Sequence, residues 1–217
     1  MLMRLKNILL VPLLKFIIKH PGIMESKLFL KAMEVFPAKV SKTYDQKVTE
    51  SGIKYQAALK EGLAHIPVNP QSILDLCTGT GFAALKAAEL FPSAQIDAVD
   101  QAPEMIEIAR VKAQETIKSN TIQFKKGNAT NLDYSNEQFD LIITSNAPIY
   151  LNEAVRVLKK DGFILAAYSF GGTAFMKARK QISELLDNHG LKLIELNSAG
   201  NGAYIIGQKQ LNANIAI

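Results

Sequence analysis

The stretch Ile73-Leu74-Asp75-Leu76-Cys77-Thr78-Gly79-Thr80-Gly81-Phe82 decides the fold. It passes from an apolar run through a turn and into a segment of helical period. Gly79 and Gly81 let the backbone turn tightly and approach a ligand, and the unpaired amides that open the following helix attract negative charge. A carboxylate or a phosphate suits such a turn.

Outward from that stretch, short β-branched runs alternate with longer segments of helical period from residue 71 onward. This is the signature of a parallel sheet wrapped by helices. Strands are expected at 72–77, 95–100, 121–125, 139–145 and 162–169. Helices are expected near 81–91, 103–119, 151–158 and 173–189. The last two apolar runs, 191–196 and 202–208, are separated by Asn197-Ser198-Ala199-Gly200-Asn201 alone. So short a link forces antiparallel pairing, because a parallel crossover needs about a dozen residues. The expected fold is therefore α/β: a mostly parallel seven-stranded, Rossmann-like sheet with helices on both faces and a C-terminal antiparallel hairpin.

At 217 residues, 48% hydrophobic and 21% charged, the chain can bury one sizeable core and is not a disordered sequence. The lone Cys77 can form neither an internal disulfide nor a multi-thiolate metal site, and His20, His65 and His189 show no ligand spacing. A reducing, cytoplasmic compartment and no structural metal are expected. The net charge of +5 is spread along the chain without an arginine-rich tract, which argues against a nucleic-acid partner.

Residues 1–37 differ from the rest: Arg4, Lys6, Lys15 and Lys19 precede the first acid, Glu25, around an apolar run at 8–14. That run falls far short of the ~20 residues that span a bilayer. No small-residue cleavage site follows His20-Pro21, so it does not read as a secretory signal. The chain divides into an N-terminal helical extension, 1–43, and a cofactor-binding domain, 44–217. The extension reads as a cap on the domain or a partner subunit, which makes a homo-oligomer one expectation, or as an amphipathic helix making peripheral membrane contact.

The spacing Gly79-x-Gly81-x-x-Ala84 with Asp100 further on also satisfies a dinucleotide fingerprint. Asp75 tips the balance: a pyrophosphate gains nothing from a carboxylate there, whereas a cofactor's cationic ammonium is matched by one. Asp100 closes the run Asp97-Ala98-Val99-Asp100, where its ionised carboxylate can accept both hydroxyls of a ribose. Its other reading is a cap for the helix opening at Pro103.

Four segments then follow in order: Asp75-Leu76-Cys77-Thr78-Gly79-Thr80-Gly81; Ala98-Val99-Asp100-Gln101-Ala102-Pro103-Glu104-Met105; Lys126-Gly127-Asn128-Ala129; and Phe139-Asp140-Leu141-Ile142-Ile143-Thr144-Ser145-Asn146-Ala147. With these the chain resembles the class I S-adenosylmethionine-dependent methyltransferases, particularly the small-molecule branch of the ubiquinone and menaquinone C-methyltransferases. Glu153-Ala154-Val155-Arg156-Val157-Leu158-Lys159-Lys160-Asp161-Gly162 is similar to that family's helix and turn before the fifth strand.

The resemblance implies a cofactor, S-adenosyl-L-methionine, and a site built from Asp75, Cys77, Thr78, Gly79 and Gly81 at the methionine portion. Asp100 would take the ribose, with Gln101 and Met105 beside it. Asn128 would meet the adenine amino group and the Ala129 amide its ring nitrogen, while Ser145 and Asn146 would line the methionyl end. Tyr44 is similar to an aromatic that closes over the cofactor. Cys77 stands where many members carry glycine, and Asn128 replaces the commoner Asp. The segment between Asn146 and Glu153 is shorter than in relatives. Asn146-Ala147-Pro148-Ile149 only faintly matches the Asn-Pro-Pro-aromatic motif of enzymes that methylate amide or adenine nitrogens.

The sulfonium methyl needs no fixed general base for its release. An oxygen or carbon acceptor still needs deprotonation, and His65, His189, Asp45 or a tyrosine could supply it. No catalytic residue is assigned from sequence. The function expected is methyl transfer to a small, apolar acceptor. Its competitors are a module that binds S-adenosylmethionine or its demethylated product without turnover, and an NAD-dependent oxidoreductase.

Overall fold

The computed structural model describes residues 53–116 and 121–211. The expected extension at 1–43, Tyr44, and the last turn of the helix expected at 103–119 lie outside the described residues.

The elements run α1 (Ile53–Ala64), β1 (Ser72–Leu76), α2 (Phe82–Leu90), β2 (Gln95–Asp100), α3 (Pro103–Thr116), β3 (Ile122–Lys126), β4 (Phe139–Ser145), α4 (Leu151–Val157), β5 (Leu158–Tyr168), α5 (Gly172–Lys177), α6 (Arg179–Asp187), β6 (Leu191–Ala199) and β7 (Gly202–Lys209). They build one seven-stranded sheet in the order β3-β2-β1-β4-β5-β7-β6. β1 to β5 are parallel, and β7 runs antiparallel between β5 and β6. β1 lies between β2 and β4, so the chain winds outward in both directions from it, and the crevice at its C-terminal end is the topological switch point.

The strands are apolar because both faces are covered. Leu141, Ile142 and Ile143 are each fully buried, and burial of such a side chain contributes about 2 kcal/mol. One face packs Ala58, Leu59 and Leu63 of α1 with the Ala-rich inner side of α2 and with Ile106 and Ala109 of α3. The other packs Ala154 and Val157 of α4 with Phe175 of α5 and Ile182 and Leu186 of α6. His65, just past α1, lies 2.9 Å from Glu195 Oε1 of β6 and 2.9 Å from the Tyr204 hydroxyl of β7, which itself donates to Glu195 at 2.6 Å. These contacts tie α1 to the edge hairpin. No helix among the described residues is long and apolar enough to cross a membrane.

Three differences from expectation are local. The helix expected over 173–189 is two, α5 and α6, separated at the fully buried Ala178. The stretch Lys159-Lys160-Asp161-Gly162, which reads as a turn, belongs to β5, with Leu158 opposite Phe139. Its irregularity survives as a register shift between Phe139 and Leu141 and as a left-handed Asp161 (φ 59°), a conformation Asp tolerates better than most residues. The hairpin strands run further than expected, so Ala199 pairs with Gly202 and the loop shrinks to Gly200-Asn201.

Candidate functional site

The C-terminal ends of β1, β2, β3 and β4 meet at the switch point, and backbone bonds stitch them together. Thr78 N donates to Val99 O at 2.9 Å, and Gly127 N donates to Asp100 O at 2.9 Å. The sheet thus gathers Asp75, Cys77, Thr78, Gly79, Gly81, Asp100 and Gly127 at one edge.

The turn after β1 is strongly left-handed: Cys77, Gly79 and Gly81 have φ of 56°, 54° and 82°. The two glycines serve different ends. A Cβ on Gly81 would lie 2.9 Å from Ala109 Cβ and 3.0 Å from Phe124 Cε1, so this glycine lets α2 pack on α3 and β3. A Cβ on Gly79 would meet no heavy atom within 4 Å, so this glycine keeps space open above the loop. Cys77, half-buried at a position where a side chain is strained, has its thiol pKa raised by desolvation and by Asp100 and Asp75.

Asp75 is wholly buried. Its Oδ2 accepts the Thr78 hydroxyl at 2.5 Å and the Ala84 N–H at 3.0 Å, while Oδ1 is buried with no hydrogen-bond partner among the described residues. Desolvation raises its pKa to about 7, against the lowering effect of those two donors. A carboxyl held so has an unspent acceptor and gains from a cation placed beside it.

Asp100 holds the loop: Oδ2 accepts the Gly79 N–H and Oδ1 the Ala102 N–H, each at 2.9 Å, and the Gln101 N–H donates to the same carboxylate. Burial raises its pKa, opposed by these three backbone donors.

Of the other expected residues, Met105 and Ala129 are buried, and Gln101 and Ser145 are half-buried. Asn128 Oδ1 already accepts the Thr130 N–H at 3.0 Å and the Thr130 hydroxyl at 2.9 Å, an Asx turn the sequence reading did not foresee. Asn146 is left-handed (φ 55°), and both ends of its amide are engaged: Nδ2 donates to Ser169 Oγ at 2.9 Å and Oδ1 accepts the Ser169 N–H at 2.8 Å. Sequence reasoning missed Ser169 and its neighbour Tyr168, whose half-buried ring stacks on Phe175 with centroids 4.6 Å apart. A tyrosine and a serine at the end of the strand next to β4 were the available signal.

A model of the methyltransferase domain family matches residues 73–162, which hold the glycine turn, Asp100, Asn128 and Asn146. Residues 73–162 are thus similar to a methyltransferase domain. A demethylmenaquinone methyltransferase of Deinococcus radiodurans is 38% identical to the chain over 87 residues, covering 40% of this chain and 34% of that protein. A ribosomal protein uL3 glutamine methyltransferase of Bordetella pertussis is 34% identical over 99 residues, covering 44% and 32%. The chain thus spans about a third of the length of either relative it matches. Among solved structures, an S-adenosylmethionine-dependent methyltransferase of Aquifex aeolicus superposes with a TM-score of 0.63 at 14% identity, covering 79% of this chain and 97% of that one. That likeness establishes the fold of the methyltransferase domain, with the antiparallel β7 closing the sheet.

Proposed function

We propose that this chain is an S-adenosylmethionine-dependent methyltransferase that transfers the methyl group by in-line displacement to a small, apolar acceptor. The observation that carries it is the buried Asp75 oxygen that has no partner among the described residues, at the foot of the turn where Gly79 leaves open space. A cationic ammonium fits that pairing, whereas the pyrophosphate of a dinucleotide would add negative charge beside a buried carboxyl. When bound, the cofactor supplies an already activated sulfonium methyl.

The residues of this chain then have separable tasks. Asp75 takes up the ammonium, and Cys77, Thr78, Gly79 and Gly81 give the turn its close approach. Asp100 faces the ribose hydroxyls, with Gln101 and Met105 as walls. Asn128 and the Ala129 amide face the purine, and Ser145 and Asn146 line the methionyl end. Tyr44, outside the described residues, is assigned to a lid. The remaining task is to align a nucleophile behind the methyl and keep water out.

An apolar acceptor is supported by Phe170, a large side chain left exposed just beyond the end of β5, on the edge where the glycine turn lies. It is supported also by Asn146, whose amide is spent on Ser169 and is not offered to a substrate amide. Incubation of the chain with methyl-labelled S-adenosylmethionine and a metabolite extract tests this reading. Label is expected in an organic-extractable small molecule; label confined to protein would overturn the small acceptor.

Residues 1–43 are assigned to a separate extension that caps the domain or a partner subunit, with peripheral membrane contact through its cationic apolar segment as the second reading. On that second reading the full chain floats with anionic liposomes and a form lacking residues 1–37 sediments. Equal partitioning would leave the extension as a cap.

A further inference from the structure

The connection between β3 and β4 carries Gly127, Asn128 and Ala129, and contains an isolated bridge between Asn128 and Asn131. Between that bridge and Glu137 its backbone groups turn to side chains for partners. The Asx turn of Asn128 on Thr130 orders its start. Beyond that turn its exit is paired to the end of α4, Glu137 N–H to Arg156 O at 3.0 Å and Gln138 N–H to Val157 O at 2.8 Å, and its middle is held by two side chains of α4.

Arg156 donates from Nε to Glu153 Oε1 at 2.7 Å, and from Nη2 to Glu153 Oε2 at 2.8 Å and Leu132 O at 2.9 Å. From Nη1 it donates to Tyr134 O at 2.7 Å and Asn136 Oδ1 at 2.9 Å. These bonds use all the N–H donors of a guanidinium. Glu153 Oε2 in turn accepts the Leu132 N–H at 2.6 Å. Leu132 therefore has both of its backbone polar groups tied to α4, and its side chain is buried in the same apolar cluster as Ala129. The Arg156 side chain is 31% exposed and that of Glu153 18%, so the bonds form in partly desolvated surroundings where geometry counts for more than at an open surface.

We propose that Arg156 and Glu153 are positioning residues for the purine-binding segment: by clamping Leu132, Tyr134 and Asn136 they hold Asn128 and Ala129 at the spacing at which the base is read. The inference rests on the methyltransferase reading given above. The two side chains are spent on the segment and on each other, so they act through it and not on the cofactor. A lysine in place of Arg156 keeps the charge but lacks the planar fork, and its single ammonium cannot serve Glu153 and three acceptors of the segment together.

Calorimetry on the full chain with two ligands tests the clamp: S-adenosylhomocysteine, and S-inosylhomocysteine, whose base carries a carbonyl oxygen for the amino group and a proton on the nitrogen that the Ala129 amide would address. The wild-type chain is expected to prefer the adenine ligand. Arg156→Lys is expected to weaken that ligand about tenfold, leave the inosine ligand nearly unchanged and so collapse the preference. Its thermal midpoint is expected to stay within about 4 °C of wild type. A loss shared equally by both ligands, or no loss, would overturn the proposal. Should Arg156→Lys fail to fold, Glu153→Gln carries the same comparison, since it keeps the side-chain length and an oxygen for the Leu132 N–H. A wild-type chain that binds neither ligand would overturn the methyltransferase reading itself, an outcome distinct from a wild type that binds and a variant that behaves like it.

Discussion

Asp75 and the two glycines of the turn carry the most local consequences. Burial raises the Asp75 pKa to about 7, so between about pH 4 and pH 7 the folded chain keeps a proton there that the unfolded chain has lost. The sign follows: stability falls as pH rises through that window and is level above it. A bound ammonium favours the ionised carboxylate, so cofactor affinity rises as pH increases from about 5 to about 7, and binding in that range releases part of a proton. Calorimetry in buffers of different ionisation enthalpy should detect the release in the wild type and none in Asp75→Asn. At the glycines, Gly81→Ala meets both a left-handed φ and a Cβ contact at 2.9 Å, and should cost about 2 kcal/mol or more in urea unfolding. Gly79→Ala meets only the φ, at about 1 kcal/mol, but places a methyl group in the open space above the loop and should lose cofactor affinity out of proportion to stability. The need for these glycines was legible in their spacing. The strain at Cys77 was not, because nothing in a residue's identity reports its φ.

The ends of the elements fix the rim of the site, and the Asn146 to Ser169 pair joins the tip of β4 to that of β5. Asn146→Ala removes both bonds and puts alanine at φ 55°, so it should destabilise by about 2 kcal/mol. Ser169→Ala loses only the Nδ2 bond and keeps the backbone donor, so about 1 kcal/mol or less is expected from the same unfolding curves. β2 and β4 were readable to the residue, since strands buried on both faces of a parallel sheet appear as apolar runs between turn signals. The break between α5 and α6 was not. Ala174, Ala178, Ile182 and Leu186 keep an unbroken spacing of four with neither Gly nor Pro among them, so the apolar pattern passes straight over it. The Asx turn, the Asn146 to Ser169 pair and the Arg156 clamp were equally hidden. Each depends on which way a polar side chain turns, and the last two reach residues some twenty positions away.

Across the whole molecule, the parallel order around β1 puts the glycine turn, Asp100 and the β3 to β4 connection at one edge, and the antiparallel β7 closes the other half of the sheet. This arrangement explains why four short motifs spread over 75–147 report on one place: each is the C-terminal end of a strand. The acceptor side, proposed at the C-terminal ends of β4 and β5, is less legible for the same reason, because loop side chains follow no strand pattern. The central claim is the identity of the cofactor, since Gly79, Gly81 and Asp100 fit a dinucleotide as well, and Asp75, the Gly127-Asn128-Ala129 segment and the closing hairpin separate the two. Equilibrium dialysis of the full chain against labelled S-adenosylmethionine and labelled NAD tests it most directly. S-adenosylmethionine should be retained and NAD should distribute evenly; retention of NAD with no uptake of S-adenosylmethionine would contradict the account.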